Sequence, residues 1–170
     1  MNPVETLEIR EAAIQKYNSY GSEWEKIYFD EFSAGYAVQH KGHKLDPDTG
    51  RFELRTVELL AMRGYSVEMM DESNFKEPQY DIKVNGIPTE IKVMNGFRNI
   101  HKRAEKASEQ GASRIVYYIN FDNEKEMFKR FDNVYKTVAN INDIWYIKNG
   151  KLRFFQKEID SPLQQLSVEG

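Results

Sequence analysis

The sequence predicts an α/β domain of the α+β kind: a mixed central sheet with flanking helices. Three observations predict it. Asn85-Gly86 and Asn149-Gly150 each lie between runs of β-forming residues and read as hairpin turns. RIVYYINF, residues 114–121, is a nearly continuous apolar run of the kind found in central strands. Helical periodicity alternates with these strands, so the order from residue 50 reads α-β-β-β-α-β-α-β-β.

Residues 4–18 read as a polar amphipathic helix whose apolar content is Leu7, Ala12 and Ile14. The aromatic-rich stretch 21–43 predicts a short helix and then a strand at GYAVQH. KLDPDTG is turn chemistry, and Thr49 or Asp48 is expected to cap a helix over 51–63. Val57, Leu60 and Gly64 share a stripe of that helix, with Leu54 and Ala61 beside it, and Gly64 ends it. YSVEMM follows as a strand and SNFKEPQ as a loop. After the first hairpin, NGFRNIHKRAEKASEQGA reads as a helix with Ile100, Ala104, Ala107 and Gly111 facing inward. A helix over 124–139 and the hairpin DIWYI-KNG-KLRFF complete the domain. The expected organisation is a helical arm at 1–35, the sheet-bearing domain at 36–157 and a flexible tail at 158–170.

Composition excludes several classes. The chain has no cysteine, which removes disulfides, thiol catalysis and zinc fingers and suits a reducing cytosol. No run approaches the roughly 18 apolar residues of a membrane span, so no membrane partner is expected. The formal charge of −3 means that a nucleic-acid partner must use a local basic patch.

The candidate site lies in YDIKVNGIPTEIKV, residues 80–93. If Asn85-Gly86 is a two-residue turn, Val84 faces Ile87 and Asp81 lies opposite Glu90. Pro88 then falls in a non-hydrogen-bonded pair, where its missing N–H is not needed. Lys92 points to the same face as Glu90. Two opposed carboxylates repel, so Lys92, a shared proton or a divalent cation should neutralise them. On spacing alone, a solvated strand face that also carries Lys83 explains these residues at least as well.

The surrounding residues add weight. Arg98, His101, Lys102, Arg103 and Lys106 make the following helix the most basic stretch of an acidic protein. Such a patch would attract a phosphate backbone. Arg98 and Arg103, nearer the apolar stripe, are the better phosphate contacts, while Lys102 and Lys106 also serve helix solubility. Glu53 stands at the edge of the buried face of its helix, and a first-turn acid also suits the helix dipole. His40 and His43, in QHKGHK, read as a surface loop, but one could act as a general base if that loop folds over the hairpin.

Asp81, Glu90-Ile91-Lys92 and the elements around them resemble the PD-(D/E)XK nuclease core, with Gln79-Tyr80 before Asp81 and Pro78 displaced. Over residues 36–155 the chain more closely resembles the C-terminal tRNA-nuclease domain of contact-dependent inhibition (CdiA-type) toxins. It also resembles the related domains of phage minor head and mobile-element proteins. The shared features are GYSV after a helix, DIKVNGIPTEIK, NIHKRAEKASEQGA, an apolar strand and DIWYIKNGKL.

The resemblance implies a nuclease cutting phosphodiester bonds, an endonuclease for which RNA, tRNA included, is favoured over DNA. In its metal-dependent form Asp81, Glu90 and Glu53 would hold Mg²⁺ or Mn²⁺, with Lys92 beside the attacking water. In the metal-independent form, akin to barnase, colicin and RelE ribonucleases, Glu90, Lys92, His101 and His43 would carry the chemistry. The 81/90 carboxylate pair favours the first. An immunity protein or a phage structural protein is the expected protein partner. The expected location is the cytoplasm, reached directly or as part of a larger protein or phage particle. The alternative class is a non-catalytic phage or mobile-element module, for which the aromatic stretch 24–38 would be the binding surface.

Overall fold

The computed structural model describes residues 2–73 and 79–157. The proposed tail at 158–170 and most of the SNFKEPQ loop, Pro78 included, lie outside the described residues. One mixed sheet of eight strands carries the fold, and its spatial order follows the chain order. The strands are β1 (Trp24–Phe29), β2 (Tyr36–His40), β3 (Ser66–Met69), β4 (Ile82–Val84), β5 (Ile87–Met94), β6 (Arg114–Ile119), β7 (Asp143–Lys148) and β8 (Lys151–Phe155). β2 and β3 pair in parallel, as do β5, β6 and β7, and the remaining neighbours pair antiparallel. Five strands therefore run one way, and β1, β4 and β8 run back.

The helices are α1 (Pro3–Ser19), α2 (Gly50–Met62), α3 (Ile100–Glu109) and α4 (Glu124–Thr137). Strand alternation divides the core between the two sheet faces. On one face α2 sets Val57 and Leu60 against Val67, Ile82, Val84, Ile91 and Val116. On the other, α3 and α4 cover Met94, Ile115, Tyr117 and Ile119 with Ala104, Ala107, Met127 and Phe131. Tyr117 stacks on Phe131 at 5.2 Å between ring centroids and donates its hydroxyl proton to the Ile100 carbonyl. A buried hydroxyl needs such an acceptor.

The first hairpin has the expected register, with Val84 against Ile87 and Lys83 against Pro88. Asn85 and Gly86 both adopt positive φ, as a primed turn requires. Elsewhere the structure corrects local expectations. WEKIYF at 24–29 forms β1 at the sheet edge instead of a short helix. Its aromatic and β-branched residues suit a strand, and pairing with β2, a long-range contact, decides the outcome. The arm assigned to 1–35 thus supplies an edge strand, while α1 buries none of its residues. Thr49 stands at the N-cap position of α2, but its side chain makes no capping hydrogen bond. Asp46 instead accepts from the backbone N–H groups of Asp48 and Thr49 and shapes the turn before it. α3 starts at Ile100, five residues later than Asn95-Gly96 suggested, because 95–99 forms a turn that packs Phe97 on the core.

Candidate functional site

The cleft exists because β4 is short. β4 leaves the sheet at Ile82, while β5 runs on to Met94. The notch this leaves, beside Ile91–Val93, lets groups from both sheet faces meet. α2 and α3 begin at this edge of the sheet, at the C-terminal ends of β2, β3 and β5, where ligands bind in open α/β sheets.

Beyond Ile82, side chains replace the backbone ladder. The Asp81 N–H donates to Glu90 Oε1 at 3.1 Å, and the Ile91 N–H donates to Asp81 Oδ2 at 2.8 Å. The Met70 N–H donates to the Asp81 carbonyl and ties the acid to the end of β3. Asp81 and Glu90 therefore stand together, as their opposed register requires. Glu90 is only 1% exposed, so its face is not the solvated one that spacing alone allowed. Its Oε2 has no hydrogen-bond partner and lies 3.4 Å from Lys92 Nζ. Burial pushes the Glu90 pKa far above the carboxylate range, and Asp81 pushes it further by hydrogen bonding and charge. Lys92 pulls the other way. Glu90 thus favours holding a proton at neutral pH.

Glu53 reaches the same notch from the first turn of α2. His43, its side chain fully buried, sets Nε2 2.6 Å from Glu53 Oε1 and Nδ1 2.7 Å from the Met70 carbonyl. Glu72 Oε1 lies 3.6 Å from Nδ1. Burial lowers the His43 pKa, but the Glu53 hydrogen bond, the charges of Glu53 and Glu72, and the Met70 carbonyl outweigh it and raise the value to about 9. With acceptors at both nitrogens, the ring is a cation locked in place. Burial raises the pKa values of Glu53 and Glu72, Asp81 raises both further, and His43 opposes.

Glu53, Asp81 and Lys92 line a cleft of about 380 Å³ whose wall also includes Lys44, Asp46, Thr49 and Arg103, with Glu90 and His43 buried behind it. Arg103 also lines a groove of about 360 Å³ with Arg98, and another of about 470 Å³ with Lys102 and Lys106. A basic track thus leads from the carboxylates along α3. His101 lies apart from the cleft lining, with Nε2 2.6 Å from Thr137 Oγ1 and Nδ1 2.7 Å from Glu105 Oε1.

Among the described residues, no group of three or more His, Cys, Asp or Glu side chains is arranged to hold a metal ion. The donor chemistry of the two-carboxylate unit does suit one. Asp81 and Glu90 offer hard oxygen donors, Glu90 Oε2 accepts no hydrogen bond and has only the Lys92 ion pair, and Mg²⁺ commonly takes one or two carboxylates and completes its shell with water and phosphate. Sequence reasoning missed Glu72 and Lys44. Both reach the site through loops, by contacts distant in sequence, and carry no spacing signal.

The fold and site define a mixed-sheet α+β chain with a carboxylate–lysine cleft at one sheet edge. No family model matches the chain, and no curated protein matches it in sequence. In structure it is similar to a chain of the solved "CdiA-CT/CdiI toxin and immunity complex from Burkholderia pseudomallei", with a TM-score of 0.53 and 18% identity over 68% of this chain and 96% of that one. At that identity the likeness is one of fold. Among the described residues, no helix is long and apolar enough to cross a membrane.

Proposed function

We propose that this chain is a nuclease that hydrolyses phosphodiester bonds, RNA favoured, with help from a divalent cation. One observation carries the reading. A buried glutamate, Glu90, stands beside Asp81 and 3.4 Å from Lys92, and those two neighbours line a cleft that also includes Lys44 and Arg103.

Asp81 and Glu90 would hold the cation, with Glu53 facing it across the notch. A bound Mg²⁺ or Mn²⁺ would polarise a phosphate oxygen and lower the pKa of water. Lys92 holds Glu90 by charge and is poised to stabilise negative charge developing on the phosphate. His43 fixes the direction of Glu53. Arg103 would bind phosphate at the cleft, and Arg98, Lys102 and Lys106 would extend the contact along the strand. The metal-independent alternative has less support, because both ring nitrogens of His43 are engaged and His101 faces α4. The fold likeness to a toxin–immunity complex adds the reading of a toxin-type nuclease with an immunity partner that blocks it.

The test is cleavage of bulk RNA, tRNA and DNA by the purified protein in Mg²⁺ and in EDTA, beside Glu90→Gln. RNA cut in Mg²⁺, but neither in EDTA nor by a folded Glu90→Gln protein, is the expected result. Cutting that persists in EDTA would remove the cation, an active Glu90→Gln protein would remove the site, and intact RNA and DNA under both conditions would remove the nuclease.

A further inference from the structure

The two edges of the sheet are built differently. β1 closes one edge with a register shift between Lys26 and Tyr28, an irregularity that blunts an edge against further pairing. β8 closes the other edge and pairs with β7 without a shift from Lys151 to Phe155. The Asn149-Gly150 turn makes Lys148 and Lys151 a hydrogen-bonded pair, so Arg153, two residues on, also bonds to β7. Leu152 and Phe154 alternate with them and turn their N–H and C=O groups to the outer side, where no strand lies among the described residues. The end of the ladder has the same phase. There the Tyr135 hydroxyl stands inside the 144/155 pair, accepting from the Ile144 N–H at 2.8 Å and donating to the Phe155 carbonyl at 2.6 Å.

The side chains of β8 alternate in the same way. Leu152 and Phe154 lie on the α2 side, beside a groove of about 670 Å³ that Leu59, Met62 and Arg63 line at the end of α2. Met62 is 45% exposed and Phe154 36%, and the Arg63 guanidinium stays with the Phe154 ring, 5.7 Å from its centre. Lys151 and Arg153 lie on the other side with Phe155, which packs on the core under α4, and both cations are exposed. Lys157, over the Tyr135 ring, adds a third cation on that side. Lys148, across the turn from Lys151, has Asp122 and Glu124 each at 3.6 Å, whereas among the described residues no carboxylate comes within ion-pair distance of Lys151 or Arg153.

We infer that β8 is a docking edge for an extended segment of a partner protein in which acidic and apolar residues alternate. One alternation serves both faces of the edge. The backbone of the segment meets the outward N–H and C=O groups of Leu152 and Phe154, as in strand addition. Its apolar side chains fall on the α2 side, beside Phe154 and Met62, and its acidic side chains fall on the α4 side, beside Lys151 and Arg153. The same cations exclude a second copy of this chain. Two β8 strands paired antiparallel at their centres would set Arg153 against Arg153 or Lys151 of the other copy, and like charges directly opposed destabilise a pair. The inference does not rest on the nuclease reading, since β8 lies three strands from β5, which carries Glu90.

The probe is a peptide of about eight residues, within the usual range of strand lengths, that alternates Glu with Val or Leu. It is titrated into the full chain while amide exchange is read residue by residue. At about ten times the dissociation constant the Leu152 and Phe154 amides should exchange about tenfold more slowly, and those of β1 should not change. Raising the salt from about 0.1 M to about 1 M shortens the Debye length from about 10 Å to about 3 Å and should weaken binding severalfold. The same peptide with Lys for Glu should not bind wild type, and a Lys151→Glu/Arg153→Glu variant should prefer it to the Glu peptide. Methylating one alternate set of the peptide's amides should abolish binding and methylating the other should not, a comparison that needs no variant. No binding of the Glu peptide overturns the inference, as do equal binding of the Glu and Lys peptides, binding without slowed exchange at Leu152 and Phe154, and binding by both methylated peptides. Slow exchange at those two amides before any peptide is added also overturns it, because the chain itself or a second copy would then cover the edge.

Discussion

Glu90 and His43 carry opposite kinds of buried charge, and they respond differently to substitution. Glu90 is a carboxyl placed where burial and Asp81 both disfavour ionisation. Replacing it with Gln keeps the shape and removes a group that is poorly accommodated. We expect Glu90→Gln to leave the melting temperature unchanged or higher while cleavage is lost, the trade typical of a site kept for function. Thermal melts and RNA cleavage on the same sample would check this, and a large drop in melting temperature would mean that Glu90 is a structural acid. His43 is a buried cation held by carboxylates. Its folded pKa, about 9, lies above the ordinary 6.5, so its contribution to stability is complete below pH 6.5 and fades as pH rises through 9. Glu53 and Glu72, also raised, lose stability with rising pH in a lower window that opens near 4.5. Urea titrations from pH 6 to 10 should therefore show wild-type stability falling over the upper window, and His43→Gln should flatten that fall. His43→Leu should cost about 3–5 kcal/mol near neutral pH, because it strands Glu53 in a buried setting.

At the scale of elements, the site depends on where β4 stops and how closely α2 lies on the sheet. Gly35, just before β2, sets that approach, since a Cβ there would overlap the Ala61 carbonyl at the end of α2. That obstacle is backbone, which cannot rotate away. Gly35→Ala should therefore push α2 off the sheet, cost about 1–3 kcal/mol by overpacking, and lower cleavage by displacing Glu53. Denaturant midpoints and cleavage rates would show both effects, and a variant of wild-type stability would refute the close-packing argument. The hairpin and its register were legible in the sequence because Asn-Gly turns fix pairing locally and Pro88 permits one register. Asp81 against Glu90 followed by arithmetic. The helical faces of α2 and α3 were legible because a 3.6-residue period marks them. β1 was not, because its strand state depends on β2. The depth of Glu90 was not either, because α3 and the β4 end bury it and no spacing rule encodes burial. His43 looked like a surface loop residue for the same reason. Only folding of 41–49 across the sheet edge brings its ring to Glu53 and Met70.

For the whole molecule, charge is sorted rather than scarce. A net charge of −3 conceals an acidic centre, formed by Glu53, Glu72, Asp81 and Glu90, beside a cationic track along α3. Among the described residues, His43 lies 2.6 Å from Glu53, Lys92 lies 3.4 Å from Glu90, and Lys44 acts on Glu72 by charge. The Asp81 charge raises the pKa values of Glu53, Glu72 and Glu90, a mutual repulsion that a divalent cation would relieve. A ligand that binds only the folded protein raises its stability by mass action, about 2.7 kcal/mol at a hundred times the dissociation constant. Melting curves in EDTA and then in excess Mg²⁺ or Mn²⁺ should show this as a rise in melting temperature. Asp81→Asn should abolish the rise, because it removes one of the two proposed ligands and leaves a neutral group that can still accept the Ile91 N–H bond. The comparison needs no substrate and no turnover, so it isolates the cation from the chemistry. A rise that survives Asp81→Asn would place the ion elsewhere on an acidic surface. No rise in wild type would mean that the shared proton and Lys92 already balance the pair.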